Sequence, residues 1–208
     1  MNNIRKHRQT IRDFKFLCGE SLDIEISYES YGRLNESGDN AILICHFWTG
    51  TSHAAGKYAC DDPLPGWWNE LIGPGKTIDT DLNFVICTDT LSNVQAYEQD
   101  FNLFIQERAS FADANAFLAI GKAATLHDVG LGRGGFEKAL STVQAEVLMI
   151  PNEQDIYFPA IDSRDVVDAI KAGHGNAELY PVDSQWGHFA CLFDTSTFSQ
   201  RLRQFLYQ

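Results

Sequence analysis

Positive charge is scarce in this chain: its 208 residues include 16 Lys or Arg against 28 Asp or Glu, a formal charge of −12. Affinity for a phosphate backbone rests on clustered basic side chains, so the balance excludes nucleic acid as a partner and disfavours an anionic membrane surface. Long apolar runs are also missing. No uninterrupted stretch is long enough to span a bilayer, and the basic segment from Met1 to Arg12 is not followed by the apolar region of an export signal. A cytoplasmic protein is the expectation. Cysteine is sparse and odd in number: Cys18, Cys45, Cys60, Cys87 and Cys191 are widely scattered, which suits reduced thiols better than a disulfide framework. Internal repeats and low-complexity tracts are absent.

What is present is a core. With 44% hydrophobic residues, a chain of this length can bury one ordinary domain, so a single body over residues 1–208 is expected. Phe14 to Cys18 and Leu22 to Tyr31 are short, partly alternating runs bounded by Gly19 and Gly32, as in a hairpin or meander at a sheet edge. Ala41 to Cys45, Asn83 to Cys87 and Glu146 to Ile150 are continuous apolar runs, the mark of parallel strands covered on both faces. Cys45 and Cys87 sit inside two of these runs and read as small buried hydrophobes. The segment between the first two runs, with Pro65-Gly-Trp-Trp68 and Gly73-Pro-Gly75, is too broken for one helix and reads as a wrapped loop with Trp67 and Trp68 as its apolar plug.

Helical spacing appears from Glu98 to Val129, with Phe101, Phe104 and Ile105 on one face and Asp113 as the N-cap of a helix carrying Phe117, Leu118 and Leu126. Further helices are expected over Phe136 to Val143, over Ile161 to Ala172 before Gly173, and over Phe198 to Leu206. A strand from Ala177 to Val182 precedes the last of them. Strands first in meander and then alternating with helices predict an α/β fold: a mostly parallel mixed sheet with helices on both faces. Sites in such sheets lie at the carboxyl ends of the strands.

The chemistry-bearing residues follow those ends. The loop after Cys45 holds His46-Phe47-Trp48-Thr49-Gly50-Thr51-Ser52-His53, the loop after Ile150 holds Asp155, and the loop after Val182 holds Gly187-His188. An acid after a late strand and a histidine after the next is the order that closes an α/β-hydrolase triad. There the carboxylate fixes the imidazole tautomer while the imidazole takes a proton from a hydroxyl. His46 and His53 with Cys45 and Cys60 match no compact zinc spacing, and no metal is expected.

The runs Ile42 to Gly56, Gly66-Trp-Trp68, Leu71 to Lys76, Ile78-Asp-Thr80 and Phe84 to Cys87 resemble the N-terminal half of the homoserine O-acetyltransferase family. Asp113-Ala-Asn115, His127-Asp128, Ala139-Leu140 and the Asp155 and His188 segments resemble its C-terminal part. The resemblance implies a truncated α/β-hydrolase fold and acyl transfer from acetyl-CoA to the homoserine hydroxyl in methionine biosynthesis. Acetyl-CoA is then a substrate, and no cofactor is required. Asp155 and His188 would be the triad acid and base, and Phe47 or Trp48 would give one backbone N–H of the oxyanion hole. Small molecules would be the partners, and a homodimer is allowed but not assured without the lid.

One departure matters most. After the fourth strand the family continues into a nucleophile elbow of the Gly-x-Ser-x-Gly type and a helical lid, whereas here Asn93-Val-Gln95 passes almost directly into Tyr97-Glu98. The internal deletion thus has its junction near residues 93–98. Gly50-Thr-Ser52-His-Ala54 is the nearest imitation of an elbow, yet it lacks the closing glycine and follows the wrong strand. A chain without its nucleophile is expected to be inactive as an acyltransferase. The alternative is a non-catalytic binding or interaction protein, or a remnant of the deletion. Loss of the intervening strands also predicts that the strand at Glu146 to Ile150 closes up beside the one at Ala41 to Cys45, because unpaired buried backbone is costly.

Overall fold

The computed structural model describes residues 4–16, 19–47, 50–89 and 114–208. They fall into two compact units, Met1–Ala116 and Phe117–Gln208. The deletion junction near residues 93–98, the stretch holding Phe101, Phe104 and Ile105, the cap at Asp113, Cys18 and Trp48 lie outside the described residues.

In the first unit, β1 (Arg5–Lys15) and β2 (Ser21–Tyr31) form an antiparallel hairpin, and β2 pairs antiparallel with β6 (Phe84–Thr88). β6 in turn pairs in parallel with β3 (Ala41–Cys45), in register from Ala41 opposite Phe84 to Cys45 opposite Thr88. The order β1-β2-β6-β3 places the hairpin at one edge, as its alternation indicates. β1 begins nine residues before Phe14, in a stretch where Ile11 alone is apolar; backbone pairing with β2, rather than an apolar face, makes it a strand. Gly32 ends β2 at φ +77°, and a Cβ there would lie 2.2 Å from the Asn83 carbonyl oxygen, so only glycine fits that turn.

The broken segment between β3 and β6 is a loop. Its regular elements are β4 (Ile72–Gly73) and β5 (Ile78–Asp79), a two-residue parallel pair. Trp67 donates its indole N–H to the Thr51 carbonyl at 2.9 Å and packs edge-on against Phe47, so it does plug this loop.

The boundary to the second unit falls within α1 (Ala114–Leu126). Leu118 and Leu126 of this helix are 69% and 67% exposed. Then come α2 (Phe136–Leu140), β7 (Val147–Met149), α3 (Ala160–Ala172), β8 (Ala177–Leu179), α4 (Ala190–Phe193) and α5 (Ser199–Leu206). β7 and β8 pair in parallel, and the same direction continues in a bridge from Asn152 to Val182. Val167 and Ile170 of α3 bury against Ala177, with Leu140, Val147 and Leu179 around them. That α3 face repeats at helical spacing, which is why the helix is legible in the sequence.

β3 takes β6 as its partner and β7 takes β8, each ladder within its own unit. The expectation that β3 is covered on both faces fails: Ile44 is buried, but Leu43 is 64% exposed and Cys45 is exposed as well. Cys87 of β6 does behave as a buried hydrophobe, and burial beside Asp89 and Glu29 pushes its thiol up to about 12.

Candidate active site

Asp155 and His188 meet in the second unit. β7 and β8 run in parallel, so the loops at their carboxyl ends emerge side by side, and Asn152 clamps them together. Its amide is buried and donates to the carbonyls of Ser184 and Gly187 at 2.9 and 2.8 Å, while its Oδ1 accepts the Ser184 N–H at 2.9 Å. Gly187, at φ +54°, makes the left-handed turn that delivers His188 into a short 3₁₀ turn.

The Asp155 carboxylate is held at both oxygens. Oδ1 accepts the backbone N–H groups of Tyr157 and Phe158 at 2.8 and 3.0 Å, and Oδ2 lies 3.0 Å from His188 Nδ1. An ionised carboxylate can only accept, so Nδ1 carries the hydrogen and Nε2 presents its lone pair. This is the hydrogen-bond contact that the sequence order anticipates. The Asp155 side chain is 11% exposed and the imidazole 34%, so the acid is covered and the base is open. The rings of Tyr157, Phe158 and Phe189 stand around the imidazole at centroid distances of 5.1, 5.1 and 5.7 Å.

Burial alone would raise the Asp155 carboxyl, but the Phe158 and Tyr157 N–H groups and the His188 ring outweigh it and hold the carboxyl below the usual range. The stability this group contributes is therefore present above the ordinary carboxylate range and is lost as pH falls through its lower folded value. In ¹³C NMR titration Asp155 is expected to titrate below a model aspartate, and to move back towards it in His188→Ala. An Asp155 that titrates at or above the model value contradicts this arrangement.

Neither Ser52 nor Cys191 is placed to serve as a nucleophile. Ser52 has no exposed surface, and its hydroxyl donates to Asp89 Oδ2 at 2.8 Å, which removes it from candidacy. Cys191 lies three residues beyond His188, with its sulfur 3.9 Å from the His188 carbonyl oxygen. Burial, together with the nearby Asp155 charge, pushes its thiol up, the wrong direction for a nucleophile. No group of His, Cys, Asp and Glu among the described residues is arranged to hold a metal ion.

The loop after β3 rests on a buried polar network that sequence patterning did not anticipate. Asp89, at the end of β6, accepts the Ser52 N–H at 2.7 Å and the hydroxyls of Ser52 and Ser27 at 2.8 and 2.6 Å, with Lys6 3.4 Å away. Glu29 is equally buried and accepts from Tyr31 at 2.8 Å and from Tyr58, and it lies 3.0 Å from His53 Nδ1. His53 is thereby accounted for as a loop-packing residue. His46 Nδ1 lies 2.6 Å from the carbonyl oxygen of Phe47, whose side chain is 37% exposed. Period-two spacing of Ser27, Glu29 and Tyr31 along β2 is the signal that could have revealed this inward polar face.

Comparison with family models returns no match. Among curated proteins, a homoserine O-acetyltransferase from Symbiobacterium thermophilum is 25% identical over 340 aligned positions, which take in 88% of this chain and 89% of that protein. The alignment is longer than the 208 residues available, so long stretches of the relative have no counterpart here. A homoserine O-acetyltransferase from Deferribacter desulfuricans is 55% identical over 82 residues, 39% of this chain and only 22% of the relative's own length. Among solved structures, the homoserine O-acetyltransferase of Bacillus anthracis superposes with a TM-score of 0.89 at 23% identity, covering 100% of this chain and 99% of that one, a likeness of fold. The chain is thus similar in sequence to homoserine O-acetyltransferases and has their fold, a truncated α/β-hydrolase frame.

Proposed function

We propose that this chain is a homoserine O-acetyltransferase reduced by an internal deletion, holding the acid and base of an acyl-transfer triad without the nucleophile. The observation that carries the reading is the 3.0 Å contact between Asp155 Oδ2 and His188 Nδ1 at the carboxyl ends of paired parallel strands. In the complete reaction a serine hydroxyl loses its proton to the imidazole and attacks the acetyl-CoA thioester. The acetyl group then passes from that serine to the homoserine hydroxyl, which the same imidazole deprotonates. This chain supplies the imidazole and its orienting carboxylate. The Gly-x-Ser-x-Gly elbow is missing from its sequence, and with it the serine and the backbone N–H that follows.

The exposed apolar face of β3 supports the same reading, since Leu43 has the character of a residue meant for a wider sheet. Phe47 and Trp48 remain the candidates for the surviving oxyanion donor. The inherited role is cytoplasmic and belongs to methionine biosynthesis, on small-molecule substrates, with a homodimer allowed but not assured without the lid. Incubation of the purified chain with acetyl-CoA and homoserine tests the reading: no O-acetylhomoserine is expected by mass spectrometry, and turnover that depends on His188 would overturn it.

A further inference from the structure

We propose that His188 is itself a nucleophile toward esters of phenols, accepting the acyl group on Nε2 and passing it to water, an activity that needs no serine. The inference rests on the assignment of Asp155 and His188 as a surviving acid and base.

The geometry leaves little else for Nε2 to do. Nδ1–H faces Asp155 at 3.0 Å, so the lone pair is on Nε2, and among the described residues nothing hydrogen-bonds to that atom. In a triad a serine hydroxyl would occupy this position. Here an incoming acyl carbon meets the imidazole directly, and histidine is a competent covalent nucleophile. The surroundings select the substrate class. Tyr157, Phe158 and Phe189, whose rings flank the imidazole, are 70%, 68% and 51% exposed. A flat aromatic leaving group can stack on such rings, whereas a small alkyl ester gains little from them.

The step balances without another reagent. The Nε2 lone pair adds to the ester carbonyl carbon, the bond from that carbon to the phenol oxygen breaks, and phenolate leaves with the electron pair. The resulting acyl-imidazolium lies beside the Asp155 carboxylate, which stabilises its charge. Water then adds to the acyl carbon, the carbon–nitrogen bond returns its pair to Nε2, and the water protons pass to solvent and phenolate. The sum is ester plus water giving phenol plus carboxylic acid. Alkyl esters fail at the first step, because an alkoxide leaves less readily than the imidazole that has just added.

The test uses the full chain with 4-nitrophenyl acetate. Saturable release of nitrophenolate is expected, with an acetyl group on the peptide containing His188 after rapid acid quench, and no hydrolysis of ethyl acetate. His188→Gln should fall to the buffer rate. Asp155 is a positioning residue, so Asp155→Asn should lower kcat about tenfold to a hundredfold while leaving KM unchanged. Tyr157→Ala with Phe158→Ala should raise KM about fivefold while kcat is kept. Acetyl found on Cys191 or a serine, or a His188→Gln rate equal to the parent, overturns the inference. A downfield Nδ1–H proton signal, present in the parent and lost in Asp155→Asn, reports the pair independently. If that signal is present and no ester is cleaved, only this inference fails; if the signal is absent, the acid–base assignment fails with it.

Discussion

Supplied with acetyl-CoA and homoserine, the purified chain is expected to form O-acetylhomoserine about 10⁶-fold more slowly than a family enzyme that has its serine. Removing the nucleophile from a triad costs about that factor, and removing one oxyanion donor costs about 10²- to 10³-fold. The two losses share one elbow and do not multiply, because groups that act as a unit are not additive. Neither Ser52 nor Cys191 compensates. Ser52 is fully buried with its hydroxyl engaged by Asp89, and burial pushes the Cys191 thiol up. CoA release and O-acetylhomoserine should be followed together, beside His188→Ala. Turnover near one per second that disappears in His188→Ala contradicts the expectation and sends the search to an unrecognised nucleophile.

Asp89→Ala should destabilise the first unit by about 3–5 kcal/mol, the cost of removing one partner from a buried charged network. The Asp89 side chain has no exposed surface, and four donors converge on it: the Ser52 N–H, the Ser52 and Ser27 hydroxyls, and the Lys6 ammonium. Alanine leaves the Ser52 N–H and both hydroxyls without this acceptor, and it takes the nearest negative charge from Lys6, whose pKa burial already lowers. Asp89→Asn keeps one acceptor oxygen and should cost less. Urea unfolding followed by tryptophan fluorescence is one readout, since Trp67 and Trp68 belong to this unit. Exchange of the Ser52 amide hydrogen is a second and more local one. A loss below about 1 kcal/mol, with Ser52 exchange unchanged, contradicts the role assigned to Asp89.

The strands at Ala41, Phe84 and Val147 were legible as continuous apolar runs, and the helices at Ala160 and Ser199 from the helical spacing of their apolar residues. Asp155 and His188 were legible for another reason, their chain order after successive strands, which the structure converts into a 3.0 Å contact. β1 was only partly legible. Arg5 to Arg12 has no apolar alternation, and its strand depends on pairing with β2 across the hairpin. The Asp89 and Glu29 network was not legible, because burial of a carboxylate is decided by residues up to 62 positions away, as in the Ser27 bond to Asp89. Asn152 escaped for the same reason: its partners lie 32 and 35 positions along the chain. Exposure of Leu43 could not be read from its own run, since an apolar pentapeptide states what a strand suits and not what remains to cover it.

The central claim is that the acid and base persist without a serine nucleophile. It is tested most directly by incubating the chain with acetyl-CoA alone, quenching in acid and mapping every peptide by mass spectrometry. The account predicts no acetylated serine anywhere in the chain. A serine that carries acetyl in the parent protein and loses it in His188→Ala would contradict it.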